Sequence, residues 1–456
     1  MSLAEAVRAR QAGPAEIVDQ VLTTIRTQDR DLNSVVVVLE SEARKAAEAA
    51  QRAIDAGERL GPLHGVPVTI KEPIWVEGAP STNGSKALAD FRAPTDSTAV
   101  ARLRRAGAIV VGKTNIPEMQ FRGICDNPIY GLTVNPWDPA RTSGGSSGGA
   151  AASLAAGFTP LALGSDGGGS IRIPASWCGV AGLKPSRGLI PTGPARAGAP
   201  SVSVLGPLAR SARDLGLMLD TLAGDGETAV PRTSSAADAS WVRGLRIAYS
   251  ADLGFAPCAD EVRAAFEEQI DMLREDGWNL TPAHPEADDP TPVWYRIFET
   301  ELYAANRDLV ASSPELIDGL VLEALQRAAK VTAPEYLDAQ FASSVYREKW
   351  TRFFDDYDIL LTPGSAIPAF EAGRMEPGEV SGRKSAQPNK VAFASAMLPA
   401  NVTGFPALNV PSFLTGGMPV GLQMMGRHGA DRVLVRAGSA YEAVRGAWSF
   451  PFRRPV

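Results

Sequence analysis

Apolar residues along this chain follow two spacings, and the spacings alternate. From Leu3 to Gly57 the period is helical. Ala15-Glu16-Ile17-Val18 and Val21-Leu22-Thr23-Thr24-Ile25 repeat apolar positions three and four apart, and the charged, alanine-rich run Glu40 to Ala56 continues the pattern. Gly57 and Gly61-Pro62 close it. Val66-Pro67-Val68-Thr69-Ile70-Lys71-Glu72 then predicts a short strand, because its β-branched residues favour extended backbone. Ser97 to Ala106 predicts a helix and Ala108 to Lys113 a buried strand. The same alternation returns later. Helices are predicted over Ala150–Ala156, Ser211–Leu222, Asp260–Glu275, most of Pro290–Tyr357, and Asp431–Ala443. Strands are predicted over Leu161–Gly164, Gly244–Tyr249 and Asp358–Pro363, with an antiparallel pair Ala407–Phe413 and Pro419–Met425 turning at Thr415-Gly416-Gly417. Asn127–Arg141 reads as loop, and Ala223–Ser240 as a small, polar linker. Strand and helix in alternation imply a sheet covered by helices, the α/β class. No repeat of fixed period is present.

One stretch breaks the pattern. Arg141 to Ser186 holds two glycine-serine clusters, Gly144-Gly145-Ser146-Ser147-Gly148-Gly149 and Gly167-Gly168-Gly169-Ser170. A flexible linker has such a composition, but linkers lack apolar runs. Here Leu161-Ala162-Leu163 and Ile171 to Val180 are built for burial. The glycine-rich turns therefore belong to a folded core. A phosphate-binding loop does not fit, because no G-K-[ST] follows the glycines.

Charge and cysteine content narrow the function. The net charge of −6 gives no reason to expect nucleic acid as a partner. Cys125, Cys178 and Cys258 are far apart and form no C-x-x-C, so neither a zinc site nor a disulfide framework is indicated. That usage suits a reducing cytoplasm. The opening MSLAEAVRARQAG carries charge throughout, unlike a secretory leader, and no run of 18 apolar residues predicts a membrane span.

Serine is the candidate nucleophile, and a serine hydroxyl needs a base. Histidine is scarce: only His64, His284 and His428 occur. Gly144-Gly145-Ser146-Ser147-Gly148 matches G-x-S-x-G, but that motif needs a strand before the serine, and Asn135 to Thr142 is loop. Ser381-Gly382-Arg383-Lys384 matches S-x-x-K without the S-D-N and K-T-G elements that accompany it. A buried lysine is the third route, since desolvation disfavours the charged amine. Lys71 ends an apolar strand as such a base should. A strand-end lysine that reaches solvent or pairs with Glu72 stays open on the residues alone.

Beyond these readings, several segments resemble the amidase signature family. They are Val66–Glu72, Gly144–Gly149, Gly164-Ser165-Asp166-Gly167-Gly168-Gly169-Ser170-Ile171-Arg172 and Cys178–Pro185, with Gly206–Ser211 and Pro419–Gln423 further on. Ser146 and Ser170 lie 24 positions apart, and the likeness spans nearly the whole chain. The resemblance implies a single α/β/α domain with a central mixed sheet flanked by helices. Its parts would be N-terminal helices (1–60), the signature core (61–220), a variable helical region (260–358) and a C-terminal return to the core (359–456).

The resemblance further implies a Ser-Ser-Lys triad: Ser170 as nucleophile, Lys71 as base, and Ser146, after a cis peptide bond from Gly145, as relay. Backbone N–H groups of Gly167, Gly168, Gly169 and Ser170 would hold the oxyanion. Gln120, Phe121 and Cys125 fall in a segment that often lines family pockets. Arg172 is a candidate for a substrate carboxylate, with a structural ion pair as the alternative. Asp166 would fix the turn by hydrogen bonds, and Ser147 would bond locally. No metal or organic cofactor is implied. The expected activity is hydrolysis of a small or medium carboxylic amide through an acyl-enzyme, releasing ammonia or an amine. The rivals are an amidotransferase subunit that supplies ammonia for tRNA-dependent amidation, and a non-catalytic binding protein of the same fold. Met119–Gly123 departs from the acidic-aromatic form common in the transamidation subunits. The expected partner is a small-molecule amide, with no nucleic acid or membrane, in a cytoplasmic protein that forms a homodimer.

Overall fold

The computed structural model describes residues 3–195, 198–224, 239–377, 379–381, 383–384 and 392–451. One sheet of 11 strands runs through it. Its strands are β1 (Val35–Val38), β2 (Pro67–Lys71), β3 (Ile109–Thr114), β4 (Leu161–Asp166), β5 (Ala181–Lys184), β6 (Val204–Ala209), β7 (Ile247–Tyr249), β8 (Leu280–Pro282) and β9 (Ile359–Pro363). A small separate ribbon pairs β10 (Glu379–Val380) with β11 (Arg383–Lys384). The long hairpin of β12 (Ala407–Thr415) and β13 (Met418–Met425) completes the main sheet. The spatial order is β1-β3-β2-β4-β6-β5-β12-β13-β9-β7-β8. β2 runs parallel to β3 and β4, whereas β4–β6, β6–β5 and β5–β12 are antiparallel. The sheet is therefore mixed, as the α/β pattern and the resemblance together imply.

Burial explains why the central strands read as continuous apolar runs rather than alternating ones. Every residue of β2, β3, β5, β6 and β9 is buried, as expected for strands covered on both faces. One face packs Val68, Ile70, Leu161, Leu163 and Leu183 against the helix Ala212–Ala223. On the other side lie two short helices, Gly148–Ala155 and Arg172–Cys178, each buried along its whole length. The first is built almost wholly of glycine and alanine, so it lies close against its neighbours. A Cβ on Gly149 would fall 2.4 Å from the Asn115 nitrogen. No larger residue permits that approach.

Most predicted elements are present, and the exceptions have physical causes. Val35–Val38 lies inside the stretch read as helical but forms β1, antiparallel to β3. Four consecutive β-branched residues lose χ1 freedom in a helix and fit a pleated edge. β5 and β6 escaped the pattern because Gly182, Gly206 and Pro207 interrupt their apolar runs. Residues 290–357 resolve into three helices, Thr291–Ser312, Gly319–Ala328 and Ala333–Asp356. Most of the sequence-predicted linker, 225–238, lies outside the described residues.

Candidate active site

β2 and β4 are parallel neighbours, so their carboxyl ends meet at one edge of the sheet, where open α/β sheets usually place ligands. Lys71 is the last residue of β2 and is fully buried. Its Nζ lies 2.7 Å from Ser146 Oγ, 2.9 Å from Ser165 Oγ and 3.3 Å from the Ser165 carbonyl oxygen. Burial pushes the ammonium down from 10.5 to about 7, against the opposing pull of Asp166 and the Cys125 thiol. Among the described residues no carboxylate pairs with it. Glu72 points elsewhere and accepts from Thr82 and Asn83.

The Gly145–Ser146 peptide is cis. Ser146 precedes the helix Gly148–Ala155, and its neighbour Ser147 ties the two serine loops together. The Ser147 N–H donates to the Ser170 carbonyl at 3.0 Å, and Ser147 Oγ donates to the Ser165 carbonyl at 3.2 Å. Ser147 thus bonds across to the next strand rather than locally. Ser146 and Ser170 line the same cavity. The Ser170 hydroxyl has no hydrogen-bond partner among the described residues.

Asp166 shapes the turn that carries Ser170. It accepts the N–H groups of Gly169 at 2.8 Å and Ile171 at 3.2 Å. Burial alone would raise its carboxyl. The Arg172 guanidinium and the Asn401 amide outweigh burial and hold it well below the usual carboxylate range. Arg172 meets Asp166 with two N–H groups, Nε at 2.9 Å and Nη2 at 3.0 Å. Its remaining donors go to Met397 O, Gln423 and Asn401 at 2.7–2.9 Å. Arg172 is therefore spent on structure. It is wholly buried and does not line the cavity, which corrects the reading of it as a ligand for substrate carboxylate.

The oxyanion reading is corrected in one member. The Gly169 N–H is committed to Asp166, and Gly169 does not line the cavity. Gly167, Gly168 and Ser170 do line it, and their N–H groups meet no acceptor among the described residues. Cys125 is corrected too. It sits behind the Ser146 loop, fully buried and off the cavity, and burial pushes its thiol up to about 12.

Gln120 and Phe121 are cavity residues. The turn holding them is strapped to the helical region: Glu118 accepts the Asp318 N–H at 2.9 Å, and Arg122 pairs with the Asp318 carboxylate. The far wall is aromatic. Trp294 stacks on Phe298 at 4.8 Å with an interplanar angle of 12°, and Phe298 stacks on Phe121 at 6.1 Å. Trp294 Nε1 also donates to the Gly167 carbonyl at 2.6 Å. A Cβ on Gly168 would lie 2.5 Å from the Trp294 ring, so the turn must be glycine to fit under it.

Sequence reasoning missed Ser165, Asn401, Gln423 and Trp294. Ser165 stands inside the glycine-rich motif that holds Ser170, and Gln423 ends the family-like segment Pro419–Gln423, whereas Asn401 and Trp294 come from distant segments with no local signal. The histidines take no part. His64, His284 and His428 each bond a backbone carbonyl, of Ala50, Pro285 and Arg187. Ser381 donates to the Cys258 carbonyl, and Gly382 of its S-x-x-K lies outside the described residues. Among the described residues no cluster of His, Cys, Asp and Glu is arranged to hold a metal ion.

Known proteins resemble this chain along nearly its full length. The family model described as Amidase matches residues 16–435. An acylamidase of Rhodococcus erythropolis is 35% identical over 453 residues, covering 97% of this chain and 94% of the relative. One subunit of the glutamyl-tRNA(Gln) amidotransferase of Chloroflexus aggregans is 33% identical over 470 residues, covering 96% and 94%. The crystal structure of a bacterial aryl acylamidase of the amidase signature family superposes with a TM-score of 0.92 at 28% identity, covering 100% of this chain and 98% of that one. A buried strand-end lysine, two glycine-serine loops and a mixed sheet of this order thus sit in a chain that belongs to the amidase signature family, whose members hydrolyse amides.

Proposed function

We propose that amide hydrolysis here runs through an acyl-enzyme on Ser170. The observation that carries the reading is the buried Lys71 amine, held near neutrality and 2.7 Å from Ser146 Oγ. Neutral Lys71 takes the Ser146 proton while Ser146 takes that of Ser170. The Ser170 oxygen bonds to the amide carbon, and the oxyanion faces the N–H groups of Gly167, Gly168 and Ser170. Collapse breaks the C–N bond as the proton returns through Ser146 to the leaving nitrogen. Water then attacks the ester and gives its proton to the same relay; the Ser170–acyl bond breaks, the relay returns that proton to the Ser170 oxygen, and the carboxylic acid leaves.

The cavity supports an apolar, aryl or linear amide. Phe121, Ile173, Trp294, Phe298 and Leu302 line it. Arg122 also reaches the wall, but its charge is spent on Asp318 rather than held ready for the carboxylate of free glutamine. That favours hydrolysis of hydrophobic amides over ammonia supply to a tRNA-dependent partner. A cytoplasmic setting belongs to the reading, supported by three buried, unpaired thiols. So does a homodimer, supported by the exposed Leu337, Phe341 and Val345 on one face of the helix Ala333–Asp356.

The test is a set of anilides and primary amides assayed for released amine, with a serine-directed fluorophosphonate. Ser170→Ala is expected to lose turnover by on the order of 10⁶-fold and to lose the label. Turnover retained in Ser170→Ala, or a label on another residue, would overturn the reading.

A further inference from the structure

The Lys71 amine has more partners than a proton relay requires, and the surplus fixes its orientation. A neutral amine carries two N–H groups and one lone pair. The Ser165 carbonyl, 3.3 Å away, only accepts. The Ser165 hydroxyl, 2.9 Å away, can donate or accept, but its own proton goes to Gln120 Oε1 at 2.7 Å. With that proton committed, Ser165 Oγ offers Lys71 only a lone pair. Both amine N–H groups are then taken by Ser165. The amine lone pair is left facing Ser146 Oγ at 2.7 Å, where Ser146 must be the donor.

We infer that Gln120 is a positioning residue: by accepting the Ser165 proton it makes Ser165 an acceptor and so turns the Lys71 lone pair toward Ser146. The inference rests on the reading of Lys71 as the base. Gln120 is well placed for this task. Met119 and Gln120 both have positive φ, 49° and 57°, in a turn held at its two ends through Glu118 and Arg122. Without the Gln120 oxygen, the Ser165 hydroxyl is free to rotate and donate to the amine. It would then compete with Ser146 for the one lone pair. The charged and titratable groups around Lys71 are Asp166, which is tied to Arg172, and the Cys125 thiol. Glu72, next in the chain, is turned to Thr82, Asn83 and Tyr130. Among the described residues none of these hydrogen-bonds to Gln120, whereas Ser165 does, so a change there reaches Lys71 through Ser165.

The experiment measures kcat, KM and the pH profile of kcat/KM on a short-chain acyl 4-nitroanilide. The proteins are wild type, Gln120→Met, Gln120→Glu, Ser165→Ala, Gln120→Met/Ser165→Ala and Lys71→Ala. Gln120→Met is expected to lower kcat about 3- to 10-fold with KM nearly unchanged. Its acid limb should move to lower pH, because Ser165 then accepts less strongly from the ammonium and can donate to the neutral amine. Gln120→Glu keeps the acceptor and adds a negative charge, so it should retain more kcat and move the limb to higher pH. The double variant should be no slower than the slower single one, since both changes act on one hydrogen bond. Unchanged kcat and pH profile in Gln120→Met, a loss confined to KM, or an additive double variant overturns the inference. If Gln120→Met does not fold, an acid limb in Gln120→Glu that fails to rise overturns it alone. Activity kept in Lys71→Ala sinks the underlying mechanism instead. A dead Lys71→Ala beside a silent Gln120→Met sinks only the role of Gln120.

Discussion

β2 and β5 end alike and do different things. β5 is antiparallel to β6, and β6 is antiparallel to β4, so β5 runs in the direction of β2 and β4. Both strands finish on a lysine at the same edge of the sheet, Lys71 and Lys184, and both side chains are fully buried. Burial pushes each ammonium down to about 7, helped at Lys184 by the Arg172 charge. The difference lies in the neighbours. Lys71 meets two hydroxyls that line the cavity. Lys184 Nζ donates to the carbonyl of the next residue, Pro185, at 2.8 Å. A depressed pKa makes an amine available as a base, but hydroxyls within reach make it useful.

The sharpest way to break the comparison is to delete each amine. Lys71→Ala is expected to lower kcat/KM by about 10²–10⁴-fold, the usual worth of general-base catalysis. The loss should be smallest at high pH, where hydroxide substitutes. Lys184→Met is expected to keep kcat/KM within a few-fold. In the wild type, activity should fall about tenfold per pH unit below an acid limb near 7, as Lys71 is protonated. A folded Lys184→Met as inactive as Lys71→Ala would show that position along the edge, not hydroxyl contact, decides the role.

Asp166 serves both strand ends, since its charge opposes burial at Lys71 and at Lys184. It is also the partner of buried Arg172. Asp166→Asn should destabilise the fold by about 3–5 kcal/mol, because a buried guanidinium loses its counter-charge. Urea melts measure that. The carboxyl sits below its ordinary value, so its stabilisation is present above the ordinary carboxylate range. It is lost as pH falls through the depressed value. Acid unfolding of Asp166→Asn should therefore begin at higher pH than that of the wild type. Whatever activity remains in the variant should show an acid limb moved down.

The two lysines also write a signature into stability. A lysine held at about 7 in the fold and at 10.5 when unfolded contributes stability that is full above 10.5 and lost as pH falls through about 7. Unfolding free energy thus gains up to about 1.4 kcal/mol per pH unit for each such lysine inside that window. Lys184→Met should remove one share of that slope, read as denaturation midpoints at pH 7 and 9. A slope unchanged in the variant would mean that Lys184 is charged in the fold.

What the chain reveals of itself follows the same division between strand end and surroundings. Lys71, Ser146 and Ser170 stand in short contiguous motifs, which is why a family resemblance could give them roles, whereas the residues alone left Lys71 open between a buried base and a lysine that reaches solvent. The α/β class was legible because strand and helix periods alternate. Arg172 was not legible. Its five contacts reach Gln423 and Asn401, separated by 251 and 229 residues in the chain, and nothing local tells a buried arginine from a ligand-binding one. Gly169 looked like an oxyanion donor until Asp166, three residues earlier, claimed its N–H. β5 and β6 hid behind glycine and proline; at Gly206 the glycine is required, because Leu183 O and Ile171 leave no room for a Cβ. Pairing at long range decides such positions, and periodicity carries no record of it.

Trp294 offers the finest test of the neighbour rule, because it acts at the edge of β4 from a helix more than a hundred residues away. Its ring stacks on Phe298, and its Nε1 donates to the Gly167 carbonyl at 2.6 Å. Trp294→Phe keeps an aromatic face on Phe298 and removes the donor. Freed of it, the Gly167 peptide no longer holds the following N–H of Gly168 toward the cavity. One hydrogen bond of this kind is worth about 0.5–1.5 kcal/mol, so kcat should fall about 2- to 10-fold with KM for a small amide nearly unchanged. Trp294→Ala should add a rise in KM for aryl amides, because the stacked wall goes with the donor. If Trp294→Phe instead raises KM and spares kcat, the ring matters only as a surface for substrate. The turn would then hold its shape through Asp166 alone, and the variable helices would contribute selectivity without reaching the chemistry.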